Sequence, residues 1–176
     1  MAAQVRFVDA DCQETGLAGG SFDVAWNQES FCHVHDAAAL FTHLHALLAA
    51  GGLYAITDYF RGARGDAGRV EALCAGWALP GLRSLHETAS LLRASGFDVR
   101  DAREDTAPVL NSALIMRNLA SRRKVLLAVE QLLRGTTDPV YEGHTDGSIA
   151  CVDGLLDGAI EYGVIVARRR AAAPEG

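Results

Sequence analysis

The residues best equipped for chemistry are gathered in Asn27-Gln28-Glu29-Ser30 and, just after, His33-Val34-His35-Asp36. Imidazoles exchange protons near neutral pH. The amides and the hydroxyl can orient a polar ligand. Immediately upstream, Phe22, Val24 and Trp26 alternate with Asp23 and Ala25, the two-residue period of a strand. In open α/β sheets, ligands sit in the crevice beyond the carboxyl ends of the strands. The spacing therefore predicts a strand that delivers this polar cluster to a ligand. Plainer roles stand beside that one: Asn27 and Gln28 as a strand terminus, His33 as a hydrogen-bonded loop residue, and Asp36 first of all as a helix cap.

A metal reading of His33, His35, Asp36, His43 and His45 does not follow. The HxHxDH pattern of binuclear hydrolases is not met, because Asp36 directly follows His35 and no histidine comes next. His43 and His45 are two apart on a predicted helix and point to different faces, so no metal is expected. Cys12, Cys32, Cys74 and Cys151 are scattered without a CxxC spacing, which suits free thiols in a reducing cytoplasm.

The elements that must position these residues follow from periodicity and punctuation. Val5 to Asp9 reads as a short strand, followed by a loop to Gly19-Gly20 and the strand Phe22 to Trp26. Asp36 is a predicted N-cap for a helix from Ala37 to Ala50, with Leu40, Phe41, Leu44, Leu47 and Leu48 on one stripe and Gly51-Gly52 at its end. Leu53 to Thr57 is the next strand and carries Asp58, Tyr59 and Phe60 at its end. A loop from Arg61 to Gly68 leads to a helix bearing Val70, Leu73, Cys74 and Trp77, stopped by Pro80. Ser84 and Glu87 match a capping box for a helix that ends at Gly96. Phe97 to Arg100 begins a strand, and Pro108 suits the first turn of a helix reaching about Arg134. Gly135 to Gly147 reads as a loop, Ile149 to Leu156 as a helix, and Ile160 to Ala167 as a final strand. Arg168-Arg169-Arg170 then belongs to a solvated tail. The alternation of strands and helices predicts an α/β sandwich with a mainly parallel sheet.

Composition narrows the partners. The 176 residues suit one domain, and 49% hydrophobic with 22% charged residues is ordinary globular composition. A net charge of −6 argues against nucleic acid as a partner. No apolar run is long enough to span a membrane and no signal-peptide pattern is present, so a cytoplasmic location is expected.

Several segments taken in order resemble the class I S-adenosylmethionine-dependent methyltransferases, most of all the small-molecule enzymes of the glycine/sarcosine/dimethylglycine and tocopherol methyltransferase type. They are Val5-Arg6-Phe7-Val8-Asp9-Ala10-Asp11-Cys12, then Gly20-Ser21-Phe22-Asp23-Val24-Ala25-Trp26-Asn27-Gln28-Glu29-Ser30-Phe31, His33, Asp36, and Ala50-Gly51-Gly52-Leu53. Leu91 to Phe97 and Tyr162 to Ala167 extend the likeness over nearly the whole chain. It implies S-adenosylmethionine as cofactor and methyl transfer to a nitrogen or oxygen of a small-molecule acceptor. Asp11 and Cys12 match the family's adenine-recognition turn, though each also suits an ordinary loop. Asn27, Gln28 and Phe31 match the loop under the methionine part of the cofactor. His33 matches a position facing the substrate or the transferred methyl, where it would be catalytic. Tyr59 and Trp77 are candidate substrate contacts, with aromatic packing as their plainer role.

The chain departs from the family at its start, where no G-x-G-x-G loop and no second strand ending in an acidic residue is found. The resemblance thus implies a Rossmann-like methyltransferase sandwich that is incomplete, its first two strand-helix units absent, about 60 residues at about thirty per unit. Residues 1–170 would be the C-terminal portion of a single methyltransferase domain and 171–176 a tail. The missing strands would leave open edges, inviting a homodimer or a partner chain that completes the sheet. Two other functions remain: a catalytically incomplete methyltransferase-like module for binding or dimerisation, and a repurposed fold acting as a cyclase or isomerase.

Overall fold

The structure, a computed structural model, describes residues 5–171. Four strands, β1 (Phe22–Gln28), β2 (Leu48–Arg61), β3 (Phe97–Glu104) and β4 (Ile160–Arg169), form one sheet in the order β1-β2-β4-β3. Five helices, α1 (Ala37–Leu47), α2 (Ala67–Trp77), α3 (Leu85–Ala94), α4 (Thr106–Arg134) and α5 (Pro139–Asp157), cover it. On β2, Tyr54, Ile56 and Phe60 face one core with Leu40 and Phe41 of α1 and Leu92 of α3. Tyr59 faces the other way, into a second core with Leu73 of α2, Cys151 and Val152 of α5, and Tyr162 of β4. The α/β sandwich expected from alternation is therefore present.

Local signals hold where they are self-contained. The Asp36 side chain accepts from the Ala39 N–H at 2.9 Å and starts α1. Ser84 and Glu87 form the reciprocal capping box of α3, and both carboxylate and hydroxyl engage the opposite backbone N–H. Pro108 lies in the first turn of α4.

Five expectations are corrected. The sheet is not mainly parallel: β1 and β2 run parallel, but β4 is antiparallel to both β2 and β3. The cause is the connection. Helices α4 and α5 pack on each other as a hairpin, returning the chain to the end of the sheet where β3 finished, so β4 must run back. Second, Val5 to Asp9 forms no strand, and Phe7 is exposed. A strand needs a ladder partner for its N–H and C=O groups, and the described residues pair none with it.

Third, Gly51-Gly52 does not close α1. That helix stops at Leu47, and β2 begins at Leu48. Phe22 pairs with Leu48 and Val24 with Leu53, so residues 49–52 bulge out of the ladder, and the left-handed φ of +79° at Gly51 makes the bulge possible. Fourth, the stretch read as a loop from Gly135 to Gly147 is helical from Pro139, capped by Asp138 through Val140 N–H. Its glycines serve contact rather than flexibility: a Cβ at Gly76 of α2 would lie 2.3 Å from the Gly143 carbonyl oxygen and 2.7 Å from Gly147 Cα. Arg168 and Arg169 also belong to β4 rather than to a solvated tail, and Arg168 Nε donates to the Gly51 carbonyl at 3.0 Å.

Candidate functional site at the carboxyl ends of β1 and β2

Because β1 and β2 are parallel, their carboxyl ends lie side by side, with Gln28 opposite Thr57. The chain leaves β1 through Glu29, whose φ of +49° is in the left-handed region that non-glycine residues seldom adopt. Its N–H donates to the Thr57 carbonyl at 2.9 Å, which pins the turn to β2. A single 3₁₀ turn, Phe31–His33, follows and leads through Val34 to α1.

Below this loop, the fully buried Tyr54 donates its hydroxyl to Asn27 Oδ1 at 2.7 Å, and Asn27 Nδ2 donates to Ser30 Oγ at 2.8 Å. Asn27 is thus spent on holding the loop. The carboxylate of Asp58, also fully buried, accepts from the N–H groups of Phe31 at 2.7 Å, Cys32 at 3.2 Å and Tyr59 at 2.7 Å. Burial, with Asp58 close by, pushes the Cys32 thiol well above its ordinary value, so it stays protonated.

On the other face of β2, the carboxylate of Glu29 accepts a hydrogen bond of 3.1 Å from the Tyr162 hydroxyl. The Tyr162 ring meets Tyr59 edge-on at 5.2 Å, and Tyr59 meets Trp77 edge-on at 5.7 Å. Trp77 in turn donates to Ser148 Oγ and stacks on His144. Burial first, and then the negative charge of Glu29, push Tyr162 up to about 12. The same two causes push Cys151 up to about 12, burial again the larger. A carboxylate and a phenol that keeps its proton therefore stand together at the edge of an aromatic cluster. That arrangement can hold a cationic or hydrogen-bonding group against aromatic faces and take up a proton.

The residues anticipated from sequence distribute as follows. Tyr59 and Trp77 come together, as half-buried members of this cluster. Gln28 is exposed at the end of β1, and His33 is exposed at the last position of the 3₁₀ turn. The Phe31 ring is buried, stacked on Phe41 at 5.6 Å and tilted against Phe60 at 6.4 Å, so only its backbone faces the loop. Asp11 and Cys12 are exposed in the loop that precedes β1, where Asp11 accepts from Gln13 N–H at 2.8 Å. That loop is tied to α1 by Thr15, whose hydroxyl lies 2.9 Å from His43 Nε2. His45 instead meets the Phe97 ring edge-on. Among the described residues, no three His, Cys, Asp or Glu side chains gather to hold a metal ion, and no helix is long and apolar enough to cross a membrane.

Sequence reasoning missed Glu29, Tyr54 and Tyr162 as site residues and took Asp58 only as a strand terminus. Glu29 did stand in the polar cluster after β1. Nothing in the sequence indicated that Tyr162, 133 positions away, would reach it.

Residues 1–56, which include β1, the loop and α1, match the family described as "Methyltransferase domain". Phosphoethanolamine N-methyltransferase 3 of Arabidopsis thaliana is 34% identical over 61 residues, 35% of this chain and 12% of that protein. Among solved structures, phosphoethanolamine N-methyltransferase 2 of Haemonchus contortus superposes with a TM-score of 0.69 at 20% identity, over 92% of this chain and 36% of that one. The [4+2]-cyclase SpnF superposes with a TM-score of 0.70 at 20% identity, over 97% of this chain and 58% of that one. The chain thus spans well under two thirds of these relatives. Its first third matches the methyltransferase-domain family, and over nearly its whole length its fold is like that of these solved structures.

Proposed function

We propose that this chain forms the acceptor side and part of the cofactor side of an S-adenosylmethionine-dependent methyltransferase acting on a nitrogen of a small molecule. The observation that carries the reading is the hydrogen-bonded loop from Asn27 to His33, which lies inside the matched segment and at the carboxyl ends of two parallel strands. When bound, S-adenosylmethionine supplies a methyl group already activated on a sulfonium. The residues here fit such a ligand through the backbone of the loop and through exposed Gln28, Asp11 and Cys12, since the Asn27 amide and the Phe31 ring are already engaged.

The work left to the protein is to hold and orient the acceptor and to exclude water. Glu29 would accept the proton that an acceptor nitrogen loses. Tyr162 holds that carboxylate in place, and Tyr59 and Trp77 form an aromatic wall suited to an amine. His33, exposed at the same turn, would orient the acceptor from the other side. Glu29 and the naming of the curated relative as an N-methyltransferase both favour nitrogen over oxygen.

The sheet supports a working site with more strands than these four. Phe22, Val24 and Trp26 on β1 are 39%, 59% and 64% exposed and present an apolar, unpaired edge. We propose that further strand-helix units cover it in the active protein, from the same polypeptide or from a partner. Calorimetry with S-adenosylmethionine, on this chain and on the chain joined to the first two strand-helix units of a class I methyltransferase, tests the reading. Binding with methylation of small amines supports it; no binding in either form sinks it. The likeness to a cyclase favours a second reading, a repurposed pocket, which a product of unchanged mass would establish.

A further inference from the structure

The loop from Asn27 to His33 is held from outside as well as by its own Asn27–Ser30 hydrogen bond. Ser30, at the N-terminus of the 3₁₀ turn, makes no side-chain cap. The N–H groups of Phe31 and Cys32 are instead met by Asp58, across 27 and 26 positions of chain. Asp58 is fully buried and has three backbone N–H donors on its two oxygens, so its charge is balanced by oriented N–H groups. Tyr54, on the same face of the same strand, grips the start of the loop through Asn27, and Asn27 passes the constraint to Ser30. Between the two grips sits Glu29, with a left-handed φ that a residue bearing a Cβ adopts only when its surroundings impose it.

We infer that Tyr54 and Asp58 are positioning residues, a clamp by which β2 fixes the shape of the loop and so the floor of the methyl-donor pocket. The inference rests on the function proposed above for its second half only: the clamp can be read without any ligand. The clamp assigns distinct tasks to neighbouring residues of one strand. Tyr54 and Asp58 face the loop, and Tyr59 faces the acceptor cluster. A purely structural carboxylate would stabilise the whole sheet, and a general base would leave the loop unchanged when made an amide.

Amide hydrogen exchange on the 176-residue chain separates these. Asp58→Asn should speed exchange at Phe31 and Cys32 by at least about tenfold while α1 and α3 amides change little, because an uncharged amide oxygen is a weaker acceptor than a carboxylate. Unchanged exchange at those two amides, or equal acceleration throughout the sheet, overturns the clamp. Tyr54→Phe is the milder variant and keeps the ring that packs in the core. In the chain joined to the first two strand-helix units of a class I methyltransferase, Tyr54→Phe and Asn27→Ala should each weaken S-adenosylmethionine binding about tenfold, and the double variant no further, as expected for two members of one linkage. Additive losses, or none, overturn the positioning role. Failure of the unsubstituted protein to bind the cofactor counts against the proposed function alone, and the exchange result then decides the clamp.

Discussion

The Tyr162 hydroxyl donates to the Glu29 carboxylate at 3.1 Å, so the last strand of the sheet grips the residue at the end of the first. The phenol, held up near 12 by burial and by that carboxylate, remains a donor throughout the neutral range. If Glu29 takes the acceptor's proton, Glu29→Gln should lower methyl transfer about 100-fold, within the usual span for a lost general base, with cofactor affinity changed little. Tyr162→Phe should lower it less, about tenfold, because it removes orientation and not the base. Steady-state kinetics with a small amine checks both, and an unimpaired Glu29→Gln variant removes Glu29 from the chemistry.

His45 gives the fold a pH response. Burial lowers its affinity for protons below the ordinary 6.5, and Arg169 and Arg170 lower it further. Below pH 6.5 the unfolded chain takes up a proton that the folded chain resists. Stability therefore falls as pH drops through that value, until His45 protonates in the folded state as well. Above it both states are neutral and the effect vanishes. Thermal melts from about pH 8 to about pH 5.5 should fall less steeply for His45→Gln than for the unsubstituted chain. The variant should also melt lower at the alkaline end, because His45 packs edge-on against Phe97.

The crossing of α2 and α5 has no room for a side chain. A Cβ at Gly76 would meet backbone atoms of Gly143 and Gly147, which cannot swing aside as a flexible side chain could. Gly76→Ala should cost about 1–3 kcal/mol by overpacking, despite alanine's better helix propensity. Ala75→Ser, at the exposed neighbour, should stay within about 0.5 kcal/mol. Urea denaturation of the two variants gives the comparison, and equal stability would show that α2 and α5 can part at no cost.

The open edge of the sheet yields opposite outcomes in two contexts. Trp26 is exposed here, so Trp26→Lys should change the stability of this chain by no more than about 0.5 kcal/mol and should reduce any self-association. Where further strands cover β1, the same substitution buries a charge and loses about 2–3 kcal/mol of apolar burial. Denaturation and sedimentation of both forms test this. Similar effects in the two would mean that Trp26 stays solvated.

The helix starts were legible because their determinants are close together in the chain. Asp36 caps three residues ahead, and Ser84 and Glu87 cap each other within one turn. The strand Phe22 to Trp26 was legible for the same reason, as was the polar cluster that ends it. Gly143 and Gly147 were misread because glycine signals a turn locally, whereas here its use is set by α2, which comes from another part of the chain. The direction of β4 was misread because it depends on two helices packing as a hairpin rather than on any residue of β4.

The sequence by itself determined the helix caps at Asp36 and Ser84, the strand Phe22 to Trp26, the polar loop after it and the family that loop resembles, because each depends on residues within a few positions of one another. Tertiary structure alone decided which of those polar groups are free. It placed Asp58 and Tyr54 under the loop, engaged Asn27, buried the Phe31 ring and brought Tyr162 to Glu29. The reason is that a side chain's availability for chemistry depends on the hydrogen bonds and packing that distant residues impose on it, and sheet pairing supplies those.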